Sequence, residues 1–164
     1  MKDAHYWIKH LDLTKHVEGG CFSEVYRSPL MTNESFPDFE SPRNIATTIY
    51  FLLEHPDFSA FHKIKSDEIW HFYAGDGLLV HEINMAGVLT THQLGPDPDK
   101  GERFQCVITA GNWFASEVID GGRFALAGCT VSPGFDFRDF ALADRSELSE
   151  TFNQHSNLIE RLTR

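Results

Sequence analysis

His62-Lys63-Ile64-Lys65-Ser66-Asp67-Glu68-Ile69-Trp70-His71-Phe72-Tyr73-Ala74-Gly75 is the stretch from which the fold can be read. Its aromatic and β-branched residues lack helical spacing and instead suit a pleated, half-buried strand. Strand alternation sends Glu68, Trp70 and Phe72 to one face and Asp67, Ile69, His71 and Tyr73 to the other. Gly75-Asp76-Gly77 then supplies a turn. Upstream, Thr47-Thr48-Ile49-Tyr50-Phe51-Leu52-Leu53 repeats the pattern and ends at Glu54-His55-Pro56-Asp57. Further β-like runs fall at 59–65, 68–73, 78–83, 87–93, 105–108, 114–118, 124–131 and 135–140. Turn residues such as Asn84-Met85-Ala86-Gly87, Pro96-Asp97-Pro98 and Asp120-Gly121-Gly122 separate them. Many short strands at regular spacing predict an all-β sandwich or closed barrel.

The two ends of the chain read differently. Asp3 can cap a short amphipathic helix over 3–15 that carries Trp7, Ile8 and Leu11 on one face. His16-Val17-Glu18-Gly19-Gly20 forms a glycine-broken loop before an alternating strand at 22–27. The stretch 32–43, with Pro37 and Pro42 and no periodicity, predicts a surface loop that could serve as rim or lid. At the other end, Asp144 and Glu147 have capping-box spacing ahead of an apolar stripe of Leu148, Phe152, Leu158, Ile159 and Leu162.

A length of 164 residues suits a single domain, 1–164, with one site. No apolar run approaches the ~20 residues of a membrane span, and the N-terminus lacks the apolar core of a signal peptide, so a cytoplasmic protein without membrane contacts is expected. Cys21, Cys106 and Cys129 form neither a disulfide framework nor a zinc-finger spacing. The net charge of −10, with no basic cluster to offset it, argues against nucleic acid as a partner. Gly-x-Ser-x-Gly is absent, and Gly19-Gly20 lacks the strand-to-helix setting of a dinucleotide or phosphate loop.

The 62–75 stretch resembles the first conserved motif of the cupin superfamily. His62, Glu68 and Gly75 stand at motif positions, and Ile64 replaces the second histidine. Thr109-Ala110-Gly111-Asn112-Trp113-Phe114 resembles the second motif, with Gly111 kept and Phe114 at the histidine position. Two of the four usual metal ligands are therefore missing. Longer words are similar to the fifth cupin subgroup, a set of proteins largely of unknown function. They are His16-Val17-Glu18-Gly19-Gly20, Thr48-Ile49-Tyr50-Phe51, Ser66-Asp67-Glu68-Ile69-Trp70-His71, Ala110-Gly111-Asn112-Trp113 and Val131-Ser132-Pro133-Gly134-Phe135-Asp136-Phe137. The resemblance implies a double-stranded β-helix, the cupin jelly-roll barrel, with short N-terminal and C-terminal helices. It also implies a homodimer similar in shape to sugar-nucleotide epimerases, and an exposed sheet edge has its own need of cover.

The residues themselves nominate a site. A Glu68 carboxylate beside the Trp70 indole in an apolar cavity should have a raised pKa, suited to general acid or base work. His62 on the preceding strand could hydrogen-bond it, either as a catalytic pair or as a buried pair that satisfies itself. Tyr50 and Tyr73 are candidate acids for an epimerase-like reaction, against the alternative of cross-strand packing. Trp113 and Gln105 could stack on and hydrogen-bond a ring, and Arg27 beside Gly19-Gly20 could bind an oxyanion. His71, on the strand face opposite Glu68, reads as an interface or packing histidine. No cofactor is expected. A weakly held divalent transition metal would use His62 and Glu68, with His16, Glu18 or Glu24 the conceivable rescuers, because three protein ligands are the usual minimum. The expected function is binding of a sugar-like or small polar metabolite with isomerase or epimerase-type proton transfer. The alternatives are a metal-dependent cupin enzyme with a reduced ligand set and a non-enzymatic sensor or storage module.

Overall fold

The computed structural model describes residues 2–32, 39 and 42–164. Eleven strands form among them: β1 (Thr14–Lys15), β2 (Cys21–Arg27), β3 (Thr47–Glu54), β4 (Phe58–Lys63), β5 (Asp67–Gly75), β6 (Leu78–Ile83), β7 (Leu89–Leu94), β8 (Gln105–Ile108), β9 (Trp113–Val118), β10 (Phe124–Ser132) and β11 (Ala141–Leu142). The rim or lid expected over 32–43 falls mostly on 33–38 and 40–41, outside the described residues.

Alternation decides which side chains fill the interior. In β5, Glu68, Trp70 and Phe72 are buried while Asp67 and Tyr73 are exposed. The strands pair antiparallel into two sheets, ordered β1-β2-β3-β10-β5-β8 and β11-β4-β9-β6-β7. Their facing sides bury Phe51, Leu53, Trp70, Leu78, Val80 and Phe114 in one core. Each such side chain contributes about 1.5–3 kcal/mol through removal of apolar surface from water. This is the all-β jelly roll with short terminal helices.

The helices cover outer sheet faces. Helix α1 (Ala4–His10) begins where the Asp3 carboxylate accepts from the Tyr6 amide at 2.8 Å, and it ends well before residue 15. Its Ala4 packs with Cys21, Leu52, Phe124 and Leu126, and Trp7, Ile8 and Leu11 flank that cluster. The single C-terminal helix expected from the stripe is two, α2 (Arg145–Thr151) and α3 (Ser156–Arg161), with a 3-10 turn between them. Asp144 caps α2 by accepting from the Glu147 amide at 3.0 Å. Leu148, Phe152, Ile159 and Leu162 lie against Phe61, Ile83 and Ala115 of the five-stranded sheet. Among the described residues no helix is long and apolar enough to cross a membrane.

The strand expected at 135–140 is not formed. Phe137–Asp139 is a 3-10 turn, followed by the two-residue β11. The Asp136 carboxylate accepts from the Arg138 amide at 2.9 Å, and this local bond competes with a strand ladder. Arg43 anchors the segment through a buried bidentate pair with Asp139, at 2.7 and 2.9 Å. The result is a strap that carries Phe135, Phe137 and Phe140 as mutually edge-on rings.

Candidate functional site

Between the two sheets, beneath this strap, lies a cavity of about 340 Å³. Its polar side chains include His16, Glu18, His62 and Glu68, and its apolar walls include Phe22, Ile49, Phe51, Ile64, Phe135 and Phe137.

The turn between β1 and β2 delivers His16 and Glu18. The His16 amide donates to the Gly20 carbonyl at 3.1 Å and the Gly19 amide to the His16 carbonyl at 3.2 Å, closing the turn. Gly19 adopts φ +116°, and a Cβ there would lie 2.0 Å from the Phe58 carbonyl oxygen. Only glycine permits that approach. The Ala60 amide donates to the Glu18 carbonyl at 2.8 Å, stitching the turn to β4 and aiming the Glu18 side chain inward.

Glu18 is the electrostatic centre. Its Oε2 lies 3.3 Å from both His16 Nδ1 and His62 Nε2, and Ser59 donates to its Oε1 at 2.8 Å. Burial alone would raise its pKa. The His62 charge, the hydrogen bond and charge of His16, and the Ser59 hydrogen bond together hold it below the ordinary carboxylate value. His62 Nδ1 lies 2.7 Å from the Ala60 carbonyl, which can only accept, so Nδ1 carries a proton. Its Nε2 faces the Glu18 carboxylate at 3.3 Å. His16 Nδ1 also lies 3.4 Å from the Glu18 amide, but the charge-assisted contact to Oε2 is the stronger claim on that nitrogen. In the neutral tautomer that donates from Nδ1 to the carboxylate, His16 Nε2 is an acceptor in a ring that lines the cavity.

Glu68 is set in the opposite sense. Burial, reinforced by the negative charge of Glu18 and only partly opposed by a hydrogen bond with the Cys129 thiol, pushes its pKa up to about 8. One cavity thus holds a carboxylate kept ionised and a carboxylic acid kept neutral at pH 7. The thiols facing Glu68 are also raised by burial, Cys106 up to about 12 and Cys129 well above its usual value.

The structure brings Glu68, His62, Glu18 and Arg27 to the cavity, but with different partners from those expected. His62 pairs with Glu18 rather than Glu68 because the inward turn places Glu18 beside it. Arg27 lacks a free fork: four of its five N–H bonds go to Glu24, at 3.0 and 2.7 Å, to Asn44 at 3.0 Å and to the Phe135 carbonyl at 3.0 Å. Four further candidates lie elsewhere. Tyr50 points outward, since alternation in β3 turns Thr47, Ile49 and Phe51 inward, and its ring meets Tyr73 edge-on. Trp70 shares the inward face with Glu68 but is sealed in the core against Phe51. Trp113 lies on the outer face of its sheet among the residues under α2 and α3, with Lys63 over its ring. Gln105 is exposed and bonded to His71, which also contacts Thr130 on the outer face of the six-stranded sheet. His16, Cys129, Phe135 and Phe137 also line the site. The glycine-broken word at 16–20 was the signal for His16, which sequence reasoning treated only as a spare metal ligand.

The donor set does not fit the metal usual in cupins. Ile64 and Phe114 occupy ligand positions as buried apolar residues, and Phe114 packs 4.1 Å from the His62 ring. Both nitrogens of His62 already face protein oxygens. Among the described residues no group of three or more His, Cys, Asp or Glu side chains is placed to hold a metal ion.

Comparison with known proteins agrees with the architecture. The chain is 40% identical, with a TM-score of 0.90, to protein SO0799 from Shewanella oneidensis, covering 100% of this chain and 99% of that one. It is 34% identical, also with a TM-score of 0.90, to a hypothetical protein from Leishmania major, covering 98% of each chain. An uncharacterized Saccharomyces cerevisiae protein, YML079W, is 33% identical over 144 residues, which span 80% of this chain and 71% of that protein. Oxalate decarboxylase from Bacillus subtilis shares only the fold, at 13% identity and a TM-score of 0.56 over 90% of this chain and 36% of that one. Residues 5–143 match the family described as Cupin superfamily (DUF985), and the chain belongs to that family.

Proposed function

We propose that the cavity binds a small metabolite and moves a proton on it, as in an isomerase or epimerase. The observation that carries this reading is the opposed setting of two carboxyl groups in one cavity, with Glu18 ionised and Glu68 neutral. Environments that drive paired groups apart in this way assign acid and base roles. His16 Nε2 accepts a proton from a carbon next to a carbonyl, while Glu18 orients the ring and stabilises the imidazolium that forms. The electron pair of the broken C–H bond moves into the carbonyl, whose oxygen takes the Glu68 proton. Return of a proton from His16 to the same face of that carbon gives solvent exchange, and protonation on its opposite face gives the epimer; return of the oxygen proton to Glu68 regenerates the acid.

The test is solvent deuterium incorporation into carbonyl metabolites, read by mass spectrometry. Glu68→Gln is expected to slow incorporation by about 100-fold or more. Exchange at the wild-type rate in that variant would sink the acid assignment, whereas saturable binding without exchange would leave a binding or sensor module.

A second reading concerns assembly. The outer face of the six-stranded sheet presents Tyr26, Tyr73 and Val107, each about half exposed, beside the uncharged Thr48, Thr130 and Gln105, with Asp67 on the same face. A molecule with a net charge of −10 repels its own copy least at a face that carries few charges. We infer that this face joins two copies as a homodimer. Val107→Asp, on an exposed position, is expected to convert the dimer to monomer in light scattering; an unchanged mass would remove this face from the interface.

A further inference from the structure

Resting on the proton-transfer reading, the geometry points to a ligand class: an uncharged, planar ring that carries one carbonyl-type oxygen, directed at Glu68. The pairing of charge in the cavity comes first. Glu18 is matched by His16 and His62, Glu24 by Arg27, and Asp136 by Arg138. Among the described residues an anionic ligand would find no cation without a carboxylate already on it, and a cationic ligand no carboxylate without a cation. Either would leave water for a site that offers its charge little return.

The walls indicate a flat ring. Phe22, Phe51, Phe135 and Phe137 face the same space as Ile49, Ile64 and Val131, and His16 lies edge-on to Phe22 at 4.7 Å and stacked over Phe137 at 6.3 Å. Such walls suit offset or edge-on contact with another ring. They are poorly matched to a polyhydroxylated sugar, whose hydroxyls need many partners, because most polar groups here are already engaged with one another. The hydroxyl of Arg27's neighbour in the cavity, Thr47, for example, has an oxygen that already accepts from the Phe135 amide at 2.9 Å.

Beside the Thr47 O–H and the fifth Arg27 N–H, the described residues leave one carboxylic-acid donor for a ligand. With the Cys129 thiol bonded to its carboxyl group, protonated Glu68 can still give its O–H to an acceptor. That acceptor is a carbonyl-type oxygen, and His16 Nε2 is the base for an adjacent C–H. Sequence reasoning expected a sugar-like or small polar ligand; the lining narrows the class to a ring with little polarity beyond this one oxygen.

The test compares four matched probes by isothermal titration near pH 6.5. Acetophenone is the neutral ring ketone, α-methylstyrene replaces its C=O by C=CH₂, and benzoate and benzylammonium carry the two charges. Acetophenone is expected to bind at least about tenfold more tightly than each of the others, which corresponds to about 1.4 kcal/mol. In Glu68→Gln, whose amide still donates, that preference over α-methylstyrene should persist; in Glu68→Leu it should vanish. Titration near pH 9.5 should also abolish it, because Glu68 ionises while Cys129 and Cys106, which face it, keep their protons. Benzoate or benzylammonium binding as tightly as acetophenone, equal binding of acetophenone and α-methylstyrene, or no binding by any probe would each overturn the class. Deuterium at the acetophenone methyl separates the two proposals. Selective binding without exchange supports the ligand class and removes proton transfer, and exchange accompanied by equal benzoate binding does the reverse.

Discussion

Glu68 shows what a single residue can record of the fold around it. Its pKa, about 8 in the folded protein, lies above the ordinary glutamate value of 4.5. Native Glu68 therefore holds its proton in a range where the unfolded chain has released it, so folding loses stability as pH rises from about 4.5 to about 8. Glu68→Gln removes that penalty. The variant is expected to melt at the wild-type temperature near pH 4.5 and several degrees above it near pH 8, measured by thermal unfolding across the range. A constant difference at all pH values would show that the carboxyl is not held neutral. Alternation placed Glu68 and Trp70 on one face and anticipated the raised pKa, and both hold. The partner of His62 was not legible, because Glu18 lies 44 positions away, the number 62 less 18, and nothing local ties them.

At the scale of the element, the β1–β2 turn and the 135–140 strap build the site from segments with little regular structure. Gly19→Ala would put a methyl group 2.0 Å from the Phe58 carbonyl at a φ that alanine disfavours. It is expected to cost about 1–3 kcal/mol in urea unfolding and to weaken ligand binding through displacement of His16 and Glu18. Wild-type stability would mean that the turn yields at little cost. In the strap, Asp139→Ala would leave the Arg43 guanidinium without its bidentate carboxylate, at a cost of about 3–5 kcal/mol in the same measurement. A loss below about 1 kcal/mol would show that the pair anchors nothing. The turn was legible from its two glycines. The strap was read as a strand, because alternating phenylalanines over 135–140 mimic one, whereas the Asp136 cap and the Arg43 anchor depend on side-chain geometry.

For the whole molecule, net charge and one face poor in charge act against each other. Two copies that approach through the face of Tyr26, Tyr73 and Val107 still carry like charge on their remaining surfaces. Salt screens that repulsion, so dimer affinity is expected to rise as ionic strength increases from about 0.05 to about 0.5 M, measured by sedimentation. Weakening with salt would instead point to an interface held by opposite charges. Gly128 keeps part of this face flat: Tyr73 lies over it, and a Cβ there would come within 2.5 Å of the phenol oxygen.

The amino-acid sequence alone determined the strand pattern, the shared face of Glu68 and Trp70, the absence of ligands at 64 and 114, and the cap of the C-terminal helix. Each depends on neighbours within a few residues, through period, propensity or capping chemistry. Only the tertiary structure decided that Tyr50, Gln105 and Trp113 lie outside the cavity, that Trp70 is sealed behind it, and that His16, Glu18 and His62 meet around one carboxylate. Those outcomes depend on which face of each strand turns inward and on how distant strands are brought together. Side-chain period fixes which residues share a face but not which face is the inner one, and packing of the two sheets makes that choice.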